Sequence, residues 1–407
     1  MNPSIHIERN SFVKGKIEGL PSSKSVSNRA LVLSALAGGQ SKLYNLSEAR
    51  DTNLMQSLIT SEDKIIDVMD AGTTMRFLTS YFAITNQNKI LTGTTRMKER
   101  PISPLVNALR KLGTEIKYLE KDGYPPIEIK GFKNQQENEV SVPGNLSSQF
   151  ISSLMMIGSS LPKGLTILLE GHVGSRPYIV MTQKIMQAFG ANCHFEDKTI
   201  TVKSGSLKSV SYTIEPDWSA ASYWYSFCSL ADESELLLKG NFTQSTQGDQ
   251  VMIEIGKLIG VSSEVVEGYL KLTKSNHVNQ IEWNFNDCPD LAQTVLPLCA
   301  VKGIEGTFTG LESLRIKETD RIFALQTELA KIGAQLTEPT IGIWKLIPSK
   351  GKFEAKYDFS TYHDHRMAMG LAPLATKFNV GFDDLSVINK SYPRYWEDLK
   401  SLGFAIK

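Results

Sequence analysis

Short polar clusters alternate with apolar runs of about three helical turns along this chain, and the alternation repeats. Ser25 opens SVSNRALVLSALAGGQSKLYNL, which reads as a polar start, an apolar helix, a Gly/Lys turn and a short β-rich run. The same order begins again at Thr73, Ser147, Ser219, Asp290 and His365. After a short first interval, the starts fall roughly seventy residues apart. Between them lie amphipathic helices at Pro101–Leu112 and Arg321–Ile332, and strand-like runs at Thr199–Val202, Tyr212–Ile214 and Ile281–Phe285. Each unit therefore mixes helices with strands, and six units divide as three per domain. Helices that are apolar nearly all round, such as the one holding Val295–Val301, belong inside, with sheets packed outside them. Their polar N-termini are then expected to converge on one surface.

The first helix start carries Lys24 and Arg29, although a helix N-terminus is already partly positive. An anion held by backbone N–H groups and both cations resolves the conflict. A Ser cap followed by solvated cations is the simpler alternative. Other cations gather at comparable points: Arg76 in DAGTTMR, Arg96, Lys98 and Arg100 in TTRMKERP, Arg315, Lys317 and Arg321 in RIKETDR, Arg366 in HDHRMAM, and Lys390 and Arg394 in NKSYPRY. Arginine suits two-pronged grip on carboxylate and phosphate, so the pattern points to a small polyanion. Two acids interrupt the cations. Glu318 shares KETDR with Lys317 and Arg321, on one face if that stretch is helical, and Asp290 opens the fifth unit. Each is a candidate general acid or base, Asp290 having a helix N-cap as its alternative role. Asp70 is expected to cap the helix that follows it.

The 407 residues exceed one ordinary core, and a formal charge of +1 argues against nucleic acid as partner. The start lacks a signal-peptide core and no apolar run is long enough to span a membrane, so a cytoplasmic location is expected. The four cysteines stand at no metal or redox spacing and read as buried thiols. His363, Asp364 and His365 have no further ligands at metal-binding spacing, so no metal is expected.

The motifs SSKSVSNRALVLSALA, DAGTTMR, TTRMKERPI, SSQFISSLMM, SRPYI, CPDLAQT, RIKETDR, HDHRMAM and KSYPRY stand in this order along nearly the whole chain. In that order they resemble the 5-enolpyruvylshikimate-3-phosphate synthase family of enolpyruvyl transferases. The resemblance implies a two-domain inside-out α/β barrel of six βαβαββ-type repeats, three per domain, the first repeat of the inserted domain being short. It places residues 1–21 plus 216–407 in one discontinuous domain and 22–215 in an inserted one, with a hinge near 20–23 and 214–218, the domains closing over substrate. It implies transfer of the enolpyruvyl group of phosphoenolpyruvate to the 5-hydroxyl of shikimate 3-phosphate, in chorismate and aromatic amino-acid biosynthesis. It further implies that no cofactor is required, that the protein is a monomer and that glyphosate, the family's inhibitor, competes with phosphoenolpyruvate. Lys24, Asp290, Glu318 and His365 match its catalytic group. Lys24, Ser25, Arg29, Ser147, Ser148, Ser175, Tyr178, Asp290, Ser313 and Lys317 match the shikimate 3-phosphate site. Lys24, Gly72, Arg96, Gln149, Arg321, Arg366 and Lys390 match the phosphoenolpyruvate site. Asp70, Phe77 and Ser313 depart from the family's usual residues. A UDP-N-acetylglucosamine enolpyruvyl transferase, or a silent anion-binding protein of the same fold, is the alternative.

Overall fold

The computed structural model describes residues 5–144 and 147–407. The fold is mixed α/β and forms two compact units, Met1–Ser22 with Glu215–Lys407, and Ser23–Ile214.

Four sheets share one strand order and one set of directions. In the second unit, Ile65–Asp67 runs parallel to Lys89–Thr92, which is followed across the sheet by Ile127–Phe132 and then Thr114–Tyr118, both pairings antiparallel. Glu139–Pro143, Leu165–Glu170, Thr199–Val202 and Cys193–Glu196 repeat that plan. In the first unit it recurs from Gln280–Asn284 to Gln335–Thr340, and from Phe12–Ile17 through Glu233–Lys239 to Val261–Val266. Phe12–Ile17 and Glu233–Lys239 are neighbours although the whole second unit lies between them in sequence. The chain leaves and returns side by side: Ser22 bridges Pro216, and Asp217 N donates to Pro21 O at 2.9 Å.

Two sheets are smaller. Among the described residues Lys42–Tyr44 pairs only with Ser211–Thr213, while Lys356–Phe359 and Asn379–Phe382 are joined by Ile5–Ile7. Neither has the four strands of the other sheets. No sheet among the described residues closes on itself. The expected barrel is corrected to separate open sheets, because each keeps two edge strands that no neighbouring sheet pairs.

The apolar helices lie inside. Every residue from Ala292 to Val301 is buried, as is every residue of Phe150–Gly158 and of His365–Leu371. Burying a side chain such as Val295, Leu296 or Leu298 is worth about 2 kcal/mol, so a helix apolar on every side is stable only when packed all round. What such helices keep polar is their N-terminal end, and that is where the candidate site residues stand.

Candidate active site

Within Ser23–Ile214, four helices are tied in two pairs by polar residues at their starts. Ser23 caps Lys24–Leu36, its hydroxyl accepting from Val26 N. Lys24 Nζ, one residue into the helix, lies 3.1 Å from Asp51 Oδ2, on the first turn of Arg50–Ile59. Asp51 is buried, and its Oδ1 has no hydrogen-bond partner among the described residues. Ser25 contributes its carbonyl, which accepts from Arg29 Nη1 at 2.9 Å. Arg29 is buried, and it also donates from Nε to Thr182 Oγ1 at 2.7 Å and from Nη2 to Ser152 Oγ at 2.9 Å. Its guanidinium carbon lies 5.3 Å from the Phe77 ring centre and 5.9 Å from that of Tyr178. Burial pulls the Arg29 pKa down to about 10. Phe77 therefore forms one wall of the Arg29 pocket.

Ser147 caps Ser148–Gly158, its hydroxyl accepting from Gln149 N, and Gln149 Nε2 donates to Thr73 Oγ1 at 3.1 Å. Thr73 belongs to Gly72–Ile84, so two helix starts are tied by side chains. Ser175 precedes Arg176–Ala188 in a left-handed conformation, φ 53°. At Gly72 a Cβ would lie 2.7 Å from Arg100 Nη1, so a side chain there would displace that guanidinium from the helix start. Arg96 is exposed, and its Nη1 pairs with Glu99 Oε2 at 3.2 Å.

Asp70 does not cap Gly72–Ile84. The N-cap is Ala71, without a side-chain bond, and the Asp70 carboxylate accepts from Arg50 Nη2 instead. The helix begins one residue too late for an Asp70 cap, and Arg50 offers a full charge in place of a backbone N–H.

The second cluster lies within Glu215–Lys407 and centres on Arg321, which is buried at the start of Arg321–Lys331. Arg321 Nη1 donates to Asp290 Oδ1 at 3.1 Å, Nη2 to Glu318 Oε2 at 2.9 Å, and Nε to Asp364 Oδ2 at 2.7 Å. Arg366 Nη2 lies 2.9 Å from Asp290 Oδ2, and Lys390 Nζ 3.4 Å from Glu318 Oε1. Burial opposes the Asp290 charge, but Arg366, Lys317 and Arg321 together outweigh it and hold the carboxyl well below the usual range. Burial likewise opposes the Arg321 charge, and Asp364, Glu318 and Asp290 outweigh that, holding its pKa above the ordinary value.

Two alternatives left open by the sequence are not what local structure shows here. Asp290 is no N-cap: Pro289–Leu291 is a 3-10 turn, Leu291 caps Ala292–Lys302, and the Asp290 carboxylate turns to the two arginines. Lys317 and Glu318 share no helical face with Arg321, because they follow the 3-10 turn Glu312–Ile316 and Asp320 caps the next helix. Ser313 is half-buried in that turn. His365 is buried, with Nδ1 3.4 Å from Asp364 Oδ1.

Sequence reasoning missed Asp51, Asp249, Glu328 and the part played by Asp364. Asp364 caps His365–Leu371 by accepting from Arg366 N while holding Arg321. Glu328 is fully buried and accepts from Tyr362 OH at 2.8 Å and Ser360 N at 3.2 Å. Tyr362 and His363 are both left-handed, φ 54°, directly before Asp364.

Open sheets around buried helices, with arginines and carboxylates gathered at the helix starts, define a two-domain α/β protein built to act on small anions. A sequence profile described as EPSP synthase (3-phosphoshikimate 1-carboxyvinyltransferase) matches residues 7–61 and 53–399. The chain is 43% identical over 400 residues to a 3-phosphoshikimate 1-carboxyvinyltransferase of Bacteroides fragilis, covering 98% of this chain and 97% of that protein. It is 33% identical over 433 residues to one of Erwinia tasmaniensis, covering 99% of each. Its fold is similar to a solved EPSP synthase of Acinetobacter baumannii, with a TM-score of 0.77 at 20% identity over 99% of each chain. The chain belongs to the EPSP synthase family of transferases.

Proposed function

We propose that this protein transfers the enolpyruvyl group of phosphoenolpyruvate to the 5-hydroxyl of shikimate 3-phosphate and releases phosphate. The observation that carries the reading is Asp290, an ionised carboxylate held between Arg321 and Arg366 with Glu318 on the same arginine. The inserted unit supplies Lys24, Ser25, Arg29, Ser147, Ser148, Ser175 and Tyr178 for shikimate 3-phosphate, and Gly72, Arg96 and Gln149 for the donor. The other unit supplies Ser313 and Lys317 for the acceptor, and Arg321, Arg366 and Lys390 for the donor. The chain passages near 20–23 and 214–218 act as the hinge. Four sheets of one plan and two smaller ones represent six related units, three in each.

Protonation of the donor methylene by Glu318 makes the neighbouring carbon electrophilic. The acceptor hydroxyl attacks it as Asp290 takes the hydroxyl proton. The tetrahedral ketal then loses phosphate and a methyl proton, with Lys24 as the second proton carrier and His365 beside the donor. A carboxylate stabilised as strongly as Asp290 is a weak base. Substrate anions that engage Arg366, Lys317 and Arg321 withdraw part of that stabilisation and raise its basicity where the hydroxyl is bound.

Transfer to UDP-N-acetylglucosamine is the weaker reading. That chemistry uses a reactive cysteine, and Cys193, Cys228, Cys288 and Cys299 are all buried, with burial pushing each pKa up to between about 11 and about 12. Phosphate release from phosphoenolpyruvate is to be assayed with each acceptor. Release with shikimate 3-phosphate alone is expected, and release with only the nucleotide sugar would reverse the reading.

A further inference from the structure

Asp249 is a buried carboxyl to which the reaction as described gives no task. It sits in the 3-10 turn Gly248–Val251 and is 3% exposed. Its Oδ2 accepts a hydrogen bond from Ser219 Oγ, and its Oδ1 has no hydrogen-bond partner among the described residues. Ser219 Oγ lies 3.3 Å from Arg366 Nη2, the same nitrogen that lies 2.9 Å from Asp290 Oδ2. One hydroxyl and one guanidinium nitrogen therefore stand between the buried Asp249 carboxyl and the half-buried Asp290 carboxylate.

An ionised carboxylate with a bare buried oxygen is costly, whereas its neutral form is not. The groups facing Asp249 are Asp290 on the Pro289–Leu291 turn, Arg366 on the helix His365–Leu371, Ser219 and Asp217 at the start of Trp218–Leu230, and Cys288. Burial and the Asp290 charge outweigh the opposing pull of Arg366 and of the Ser219 hydrogen bond, and push the Asp249 pKa up to about 7.

We propose that Asp249 is a proton-bearing positioning residue: neutral, it leaves Arg366 to Asp290 and the donor anion, and where it is ionised in the free protein it takes up a proton from solvent when that anion binds. Ionised, it sets a second negative charge against Arg366, repelling the donor and raising the proton affinity of Asp290. The inference rests on the placing of Asp290 and Arg366 in the donor chemistry. It differs from a purely structural role in coupling donor affinity, but not turnover of the bound complex, to pH.

The test compares kcat and KM for phosphoenolpyruvate in the parent and in Asp249→Asn between pH 6 and 9, at saturating shikimate 3-phosphate. Titration of the donor itself affects both proteins alike and cancels in the ratio. The ratio of parent to variant KM is expected to be near one at pH 6 and to rise to about tenfold at pH 8, with kcat matched throughout. A ratio flat across pH overturns the proposal, as does a folded variant that loses kcat at every pH. Failure of the Asn variant to fold also overturns it, because a neutral isostere is what the site is argued to hold already. A parent that releases no phosphate with shikimate 3-phosphate refutes the proposed function, whereas an active parent with a flat ratio refutes this inference alone.

Discussion

Arg321 Nε donates to Asp364 Oδ2 at 2.7 Å, and both side chains are buried. Asp364 also accepts from the backbone N of Arg366, so one carboxylate fixes two cations of the cluster. Asp364→Asn leaves Arg321 buried with part of its compensation gone. A loss of about 3 kcal/mol in unfolding free energy is expected, together with at least a tenfold drop in turnover. Urea unfolding with parent-like stability, or full turnover, contradicts this role.

Asp70→Asn removes the charge from an ion pair with Arg50 in which both side chains are partly exposed, 32% and 42%. Such pairs are worth less than about 1 kcal/mol. Stability is expected to fall by no more than that, and the KM for phosphoenolpyruvate to stay within about threefold of the parent at low salt, where charge effects are least screened. A roughly tenfold tighter KM shows that Asp70 faces the donor.

Glu328 anchors the turn that precedes Asp364. Its two oxygens hold Tyr362 OH and Ser360 N, and the left-handed pair Tyr362 and His363 lies between that anchor and the site. Left-handed backbone at non-glycine residues costs about 1–2 kcal/mol each and persists only when surrounding contacts impose it. Glu328→Ala is expected to lower stability by about 2–4 kcal/mol, and Tyr362→Phe by about 1 kcal/mol. Turnover should fall in both, while shikimate 3-phosphate affinity, which in the proposed assignment draws mainly on the other unit, stays near the parent value. Thermal denaturation and equilibrium binding check the two halves separately.

The helices were legible in the sequence because a run apolar on every side, headed by polar residues, has one stable placement. Ala292–Lys302 and Ser148–Gly158 stand within two residues of where the pattern starts them. The cations at helix starts, such as Lys24, Arg321 and Arg366, were legible for the same reason. Asp364, Asp249 and Glu328 were not, because their roles depend on partners far along the chain. Arg321 and Asp364 are 43 residues apart, and Ser219 and Asp249 are 30 apart. Local spacing also misplaced Lys317 and Glu318, since a helix at KETDR depended on where the cap fell, and Asp320 took that position. Whether sheets close is decided by their edges, which a pattern of period two does not encode.

The Asp249 carboxyl makes stability depend on pH with a definite sign. Its pKa is about 7 when folded and about 3.9 when unfolded, so between these values the folded state binds more protons. Stability from this group is full below pH 4 and is lost as pH rises towards 7. Asp249→Asn has no such loss, so its advantage over the parent should grow from pH 4 to 7 and then level off. Parallel denaturation midpoints across that range contradict it.

The central claim is an addition–elimination in which the donor methylene is protonated before phosphate leaves. Running the reaction with shikimate 3-phosphate in D2O and reading the product by NMR tests it most directly. The predicted result is an enolpyruvyl ether at the 5-position carrying deuterium in its methylene. In Glu318→Gln, which keeps the shape but not the proton, turnover should be lower by about two orders of magnitude. Product formed at the parent rate with an unlabelled methylene, or equal turnover in the Gln variant, would contradict the account.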